Sequence, residues 1–425
     1  MLNIATIRQQ AQAYQQAADW KKISISIEEL LTVDDRRREL LQLTETLRAE
    51  RNRRSKAIEQ LMLEGRKEEA APMKQETSEL LQQLKQAEAQ YRQTMFRYED
   101  LMLRVPNLTS ADTPLGANDE DNVEIRRVGE IPDFASFTPQ SHVEIGQRLG
   151  MVDFARGVKI GGTRQYVLAN YGLQLHRAVQ QLALDMLMDK GFELMDVPAM
   201  VKEETLVSSG YFPANRDQTF GIQGEDKWLI GTSEVPLISY YSGELVDLTA
   251  PKRLGAVSPC YRSEVGSAGR DVQGLYRVHQ FAKVEQVVLC KADLPLALSL
   301  LEQMTAMSEE LLQLLELPYR VVAVCAGDMS QKNYKQYDIE TWMPSRGSYG
   351  ETHSASLLLD FQARRSNIRY LDESGKPQYA YTLNNTMVAT PRILIPLLEN
   401  HQREDGSIHI PLVLRPYMRG RSELR

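Results

Sequence analysis

The hydrophobic pattern divides the chain into two parts. Residues 1–27 carry apolar positions at Ile4, Ile7, Ala11 and Tyr14, which fit a short amphipathic helix followed by a polar connection. From Ile27 to Leu63 the apolar residues Leu30, Leu40, Leu43, Leu47, Ile58 and Leu61 recur at helical intervals. A second run from about Pro72 to Leu103 places Leu80, Leu84, Ala87, Tyr91, Met95, Tyr98 and Met102 at near-heptad spacing. Glu64-Gly65-Arg66-Lys67 lies between the two runs as a turn, and a proline such as Pro72 is tolerated in a first helical turn. The pattern predicts a helical arm over residues 1–108 built on an antiparallel coiled-coil hairpin, with its tip near 64–68.

Beyond Val105-Pro106-Asn107-Leu108 the periodicity lapses. Residues 109–140 are polar and broken by Pro114, Gly116, Gly129, Pro132 and Pro139, as expected of a linker running round a second domain. Residues 141–425 then alternate helical and strand patterns. Helices are predicted over His142–Arg156, Leu173–Lys190 (closed by Gly191) and 293–317. Strands are predicted over Phe192–Val197, Phe220–Ile230, Ala256–Tyr261, Phe281–Leu289, Tyr319–Val324 and Tyr337–Trp342. The class is α+β, with a long helical arm ahead of a catalytic-sized domain.

Charge sharpens the reading of the arm. The whole chain is net −7, which argues against general adhesion to nucleic acid. The outgoing helix nevertheless carries Arg36, Arg37, Arg38, Arg48, Arg51, Arg53, Arg54 and Lys56, with Arg66 and Lys67 at the tip. Such a face is either a solvated coiled-coil surface or a reader of phosphate backbone. Three scattered cysteines, Cys260, Cys290 and Cys325, make neither a disulfide framework nor a zinc site, and the N-terminus lacks a signal-peptide pattern. No apolar run approaches a membrane span, and the cytoplasm is the expected compartment.

The chemistry concentrates between 257 and 288. There, two strand-like runs flank a loop carrying Arg262, Glu264, Arg270 and Arg277 with Gly266, Gly269 and Gly274. Glycines let backbone approach a ligand, and guanidinium forks match phosphate oxygens in pairs, so the loop suits a polyphosphate nucleotide. It is not a Walker loop, since no Gly-Lys-Ser/Thr opens a helix. A hairpin with a solvated charged tip is the plainer alternative. Upstream, Thr232 and Glu234 stand two apart and share a face if extended, although Thr-Ser-Glu-Pro is equally a helix-capping sequence.

The order of residues is more specific than these features. Tyr261-Arg262-Ser263-Glu264, Gly266-Ser267-Ala268-Gly269-Arg270-Asp271 and Arg277-Val278-His279-Gln280-Phe281 with Lys283-Val284-Glu285 resemble motif 2 of class II aminoacyl-tRNA synthetases, and within them the bacterial seryl-tRNA synthetase family. The likeness runs from Asp34-Asp35-Arg36-Arg37-Arg38 to Leu414-Arg415-Pro416-Tyr417-Met418. It implies a mixed, mainly antiparallel catalytic sheet flanked by helices. The implied activity is ATP-dependent activation of serine and its transfer to tRNA, with Mg²⁺ as the metal. It further implies an amino-acid pocket of Thr232, Ser233, Glu234, Arg262, Glu285, Asn384 and Thr386. Arg262, Ser263, Glu264, Val278, Phe281, Glu351, Thr352, His353, Ser354 and Arg392 would meet ATP, with Glu351 and Ser354 on the metal and Arg262, Glu264 and Arg392 as the catalytic set. A lone histidine such as His353 is as readily a hydrogen-bonding neighbour. The resemblance also implies a homodimer built through the helix–strand unit ending at Pro198, and tRNA contact from the arm through Arg51, Arg54, Lys56 and Lys67.

The chain departs from the family pattern near its C-terminus. The family's Thr-Leu-Asn-Gly-Ser-Gly-Leu-Ala reads Thr382-Leu383-Asn384-Asn385-Thr386-Met387-Val388-Ala389 here, and the later glycine is Pro391. Gly350 replaces an arginine, and Ala355 and Leu357 flank Ser356. A methionine in place of a glycine is expected to fill ligand space. Thr390-Pro391 reads as a helix N-cap and first position, with Arg392 in the first turn. These changes admit two other outcomes: a paralogue that activates a different small amino acid for a biosynthetic pathway, or a non-catalytic tRNA-binding dimer.

Overall fold

The computed structural model describes residues 1–265 and 273–425. Gly266, Gly269 and Arg270 of the predicted phosphate loop lie outside the described residues. Two compact units divide at Pro106/Asn107.

In the first unit, short helices Ile4–Gln9 and Ala11–Trp20 precede α1 (Ile27–Leu63) and α2 (Lys67–Arg104). The Ser26 side chain caps α1 by accepting from the Glu29 amide at 3.1 Å, and Gly65 takes a positive φ of 77° at the tip. The return helix begins at Lys67, so Pro72 lies in its second turn rather than its first. Leu43, predicted in the seam, is 46% exposed; Thr44 is buried in its place and satisfies its hydroxyl on the Leu41 carbonyl at 2.8 Å. Much of the basic face is internally paired. Buried Asp34 takes Arg8, Arg37 and Arg38 at 2.9, 2.8 and 3.0 Å. Although burial pushes the Asp34 carboxyl up, hydrogen bonds from Arg37 and Arg8 hold it below the usual range.

The second unit is built on eight strands: β1 (Val123–Val128), β2 (Glu193–Met195), β3 (Lys252–Tyr261), β4 (Gln280–Cys290), β5 (Tyr319–Ala323), β6 (Lys335–Met343), β7 (Ser348–Leu359) and β8 (Tyr381–Thr390). Their order is β1-β5-β6-β7-β8-β4-β3-β2, antiparallel throughout except for the parallel β2–β3 edge. The segment expected as linker thus supplies an edge strand. The helices that flank the sheet and site include α3 (Asn170–Asp189), α4 (Glu234–Ser239), α5 (Leu294–Leu314), α6 (Phe361–Ser366) and α7 (Leu394–Asn400). Val179, Leu182, Leu301 and Met304 of α3 and α5 cover one sheet face against Val284, Val288 and Leu383. The other face packs Leu254, Ala256, Val287 and Leu289 against Leu237, Ile238 and Ala363 of α4 and α6.

Three local expectations fail. Of the predicted strand Phe220–Ile230 only Trp228–Leu229 is a strand. The predicted helix 142–156 is a helix over His142–Arg148, a two-residue strand at Val152–Asp153, and a further helix from Phe154. Asp153 accounts for the break, because its carboxylate accepts from the Arg156 amide at 2.8 Å and caps a new start. Likewise Thr390 still pairs with Ala282 as the end of β8, and α7 begins only at Leu394, so Arg392 sits in the connection ahead of the helix. Among the described residues no helix is long and apolar enough to cross a membrane.

Candidate active site

On the α4/α6 side of the sheet lies a cleft of about 290 Å³. Strand alternation brings its residues together. Phe281, Lys283 and Glu285 of β4 face it, while Val284 and Val288 face the core. On β8, Asn384 and Thr386 face it. On β7, Glu351 and Ser354 are three apart and would point to opposite faces of a regular strand. The β6–β7 register shifts at Ile339/Glu340, leaving Thr352 as an inserted residue, and this bulge puts both on the cleft side.

The end of the cleft expected to take the amino acid is organised on Glu234. Its Oε1 accepts from Asn384 Nδ2 and Gln362 Nε2, each at 2.7 Å, and from Lys332 Nζ. Thr232 does both things that the sequence allowed: its hydroxyl accepts from the Glu234 amide at 3.2 Å, and it lines the cleft. Glu285 lines the same cleft, paired with Lys283 at 2.5 Å. Burial pushes the Glu285 carboxyl up to about 7, with Lys283 pulling it down and the Glu234 charge adding to the rise.

At the end expected to take the nucleotide, the two limbs leading out of β3 and into β4 are locked together. The Arg262 amide donates to the His279 carbonyl at 3.0 Å, and His279 Nδ1 lies 2.9 Å from the Arg262 carbonyl. The Arg262 guanidinium is 5.2 Å from the Phe281 ring centroid. Glu264 takes a φ of +52°, uncommon for a residue with a Cβ, and its Oε2 accepts from Arg277 at 3.4 Å. Arg392 is held from three sides: Nε donates to the Tyr276 carbonyl and Nη1 to the Glu351 carbonyl, both at 3.1 Å, and the guanidinium lies 4.4 Å over the Tyr276 ring.

Of the residues expected here, Thr232, Glu234, Arg262, Glu264, Val278, Phe281, Glu285, Glu351, Thr352, Ser354, Asn384, Thr386 and Arg392 line the cleft. Ser233, Ser263 and His353 do not. Ser233 is the fully buried N-cap residue of α4, and Ser263 donates its hydroxyl to the Asp217 carbonyl at 2.8 Å. His353 points to the core face with Nδ1 2.9 Å from the Thr352 hydroxyl, and burial pushes its imidazole down to about 3, so it is neutral. The narrowing expected from Met387 is likewise absent. Met387 and Asn385 lie on the side of β8 away from the cleft: Met387 is fully buried in the core, and Asn385 Nδ2 donates to the Met304 carbonyl and Ser308 hydroxyl of α5 at 2.8 and 2.9 Å. Lys332, Gln362 and Tyr276 were missed by the sequence reading. Lys283 was legible as the alternate position between Phe281 and Glu285. On the arm, Lys56 and Lys67 are exposed, whereas Arg54 pairs with Glu50 at 2.6 Å and Glu76 at 3.0 Å. Arg51 is half-buried with Nε 3.1 Å from the Asn52 side-chain oxygen.

An antiparallel sheet carrying this cleft between a β3–β4 hairpin and β7–β8 defines the catalytic domain of a class II aminoacyl-tRNA synthetase. Residues 219–401 match the family described as tRNA synthetase class II core domain (G, H, P, S and T), and residues 1–109 match the Seryl-tRNA synthetase N-terminal domain. The chain is 44% identical over 425 residues to a serine–tRNA ligase of Deinococcus radiodurans, covering 100% of this chain and 99% of the relative. It is 38% identical to that of Rubrobacter xylanophilus, covering 98% of each. The structure is similar to seryl-tRNA synthetase from Pyrococcus horikoshii complexed with ATP, with a TM-score of 0.88 at 35% identity over 100% and 99% of the two chains. A second likeness is to a cytoplasmic serine–tRNA ligase from Naegleria fowleri in complex with AMP, TM-score 0.84 at 27% identity over 100% and 99%. The chain belongs to the seryl-tRNA synthetase family.

Proposed function

We propose that this chain activates serine with ATP and transfers it to tRNA, with Thr232, Glu234, Glu285, Asn384 and Thr386 forming the serine pocket. The observation that carries this reading is the fixed carboxylate of Glu234, held by Lys332, Gln362 and Asn384 in the cleft that Glu285 also lines. Two carboxylates suit an α-ammonium, and a hydroxyl-lined floor at Thr386 suits a small side chain carrying its own hydroxyl. Of the departures that admitted another amino acid, Asn385 and Met387 lie outside the cleft lining, whereas Thr386 and Pro391 line it.

The serine carboxylate attacks the α-phosphorus of ATP, forming the acyl–phosphate bond as the α–β anhydride bond breaks and pyrophosphate leaves. Arg262 and Arg392 stabilise charge on the phosphate oxygens, Glu264 holds Arg277, and Phe281 supports the adenine ring. Positioning and charge stabilisation account for the step without a dedicated general base. The terminal tRNA hydroxyl then attacks the adenylate carbonyl and AMP leaves. Glu351 and Ser354 present a carboxylate and a hydroxyl on one face, hard donors that fit magnesium shared with substrate phosphates. When bound, Mg²⁺ would neutralise triphosphate charge.

Exposed Lys56 and Lys67, with Arg51 and Arg54, make the arm a tRNA backbone reader. Homodimerisation would use the α3–β2 unit, where Leu173 and Met188 are 47% and 57% exposed. The pocket reading is tested by pyrophosphate exchange with serine against alanine, which lacks the hydroxyl: a preference of about 10³-fold or more supports it, and comparable turnover overturns it.

A further inference from the structure

Two segments remote in sequence converge on one buried carboxylate, and one of them carries the connection on to the cleft. Glu399, on α7, has a fully buried side chain. Its Oε1 accepts from the His142 amide at 2.9 Å, from the Ser345 hydroxyl at 2.8 Å and lies 2.7 Å from His142 Nδ1. Its Oε2 accepts from the Ser345 amide at 2.9 Å. Burial would push this carboxyl up, but hydrogen bonds from His142 and Ser345 hold it below the usual range, so it stays an ionised acceptor.

The far nitrogen of His142 carries the connection into the cleft. Nε2 accepts from the Leu275 amide at 3.2 Å. Only one tautomer satisfies both contacts: Nδ1–H toward Glu399 and a bare Nε2 toward the amide. The close approach depends on Gly274, which takes a φ of +94°; a Cβ there would lie 2.5 Å from His142 Nε2. Leu275 and Tyr276 both line the cleft, and the Tyr276 carbonyl receives Arg392 Nε at 3.1 Å.

We propose that His142 is a positioning residue for ATP: bridging Glu399 and the Leu275 amide, it fixes the limb whose Tyr276 carbonyl aims Arg392 at the triphosphate. The proposal rests on the ATP-site reading above. It goes beyond that reading by giving a role to a histidine outside the motif 2 segment and outside the residues assigned to serine or ATP, and by making Gly274 the condition for its approach.

The test is ATP binding by titration calorimetry on the full chain, where stoichiometry reports the folded fraction separately from Kd. His142→Ala and Gly274→Ala, changes in different segments, should each raise the ATP Kd about tenfold, the scale of one lost buried hydrogen bond and its alignment. His142→Gln keeps an acceptor at the place of Nε2 and should recover most of the loss. The KM for serine in pyrophosphate exchange should stay within about twofold, since the serine pocket is untouched. An ATP Kd within about twofold of wild type in both alanine variants, with only stoichiometry or Tm lowered, would reduce His142 to a structural part and overturn the proposal. Equal losses in the serine and ATP constants would do the same. A wild-type chain that binds ATP but exchanges nothing with serine would sink the serine reading while the Kd comparison still decides the role of His142. Failure of the wild type to bind ATP would overturn both.

Discussion

Asn384 donates from Nδ2 to Oε1 of Glu234 at 2.7 Å, joining residues 150 positions apart at the amino-acid end of the cleft. With Lys332 and Gln362 on the same oxygen, the Glu234 carboxylate is fixed before any ligand arrives. Glu234→Gln presents an amide to three donors and leaves Lys332 without its counter-charge. The expected loss in kcat/KM for serine is about a hundredfold or more, the scale of a broken buried charge-assisted contact, with the KM for ATP little changed. Steady-state exchange kinetics check this, and a loss confined to ATP would place the pocket elsewhere.

Glu285 titrates near neutrality because burial pushes its carboxyl up to about 7. The ionised form is the one that attracts an α-ammonium. Serine affinity should therefore rise as pH climbs through about 7, and kcat/KM for serine should rise with it, until other groups limit the rate. In Glu285→Gln that limb of the profile should vanish. A wild-type profile flat between about pH 6 and 8 would remove Glu285 from ammonium recognition.

Much of this was legible in the sequence. Ile27–Leu63 was read to the residue, because a capped start at Ser26 and a glycine at the turn bracket an unbroken helical period. The β3–β4 hairpin and the Thr232/Glu234 pair were legible from alternation and residue order. What alternation could not deliver were the bulges. Thr352 inverts the expected relative faces of Glu351 and Ser354, and the register shift between Thr386 and Val388 puts the successive residues Met387 and Val388 both on the core side. Both contradict a count by twos. Lys332 and Gln362 carried no local signal, since they meet Glu234 only through the fold.

Met387 illustrates the consequence. Because it packs in the core, with its sulfur 2.9 Å from Gln286 Nε2, Met387→Gly should open a cavity beneath the sheet rather than widen the pocket. The expected effect is a loss of about 2–5 kcal/mol in unfolding free energy with the serine KM nearly unchanged. Urea denaturation alongside exchange kinetics separates the two. A lower serine KM without loss of stability would restore the narrowed-pocket expectation.

Magnesium dependence tests the β7 bulge. Glu351→Gln and Ser354→Ala should each raise the Mg²⁺ concentration needed for half-maximal exchange, Glu351→Gln by about tenfold or more, because the carboxylate is the charged donor. Unchanged magnesium curves in both variants would assign the metal to other residues.

The arm can be separated from the chemistry. Removing residues 30–100 should abolish tRNA charging while leaving adenylate formation. If charging survives, the arm is not the tRNA reader.

The central claim is that this cleft activates serine. ATP–pyrophosphate exchange measured against each of the twenty amino acids addresses it directly. The account predicts strong exchange with serine and traces with its nearest analogues. Exchange with a different amino acid and not serine, or none with any while ATP still binds, would contradict it.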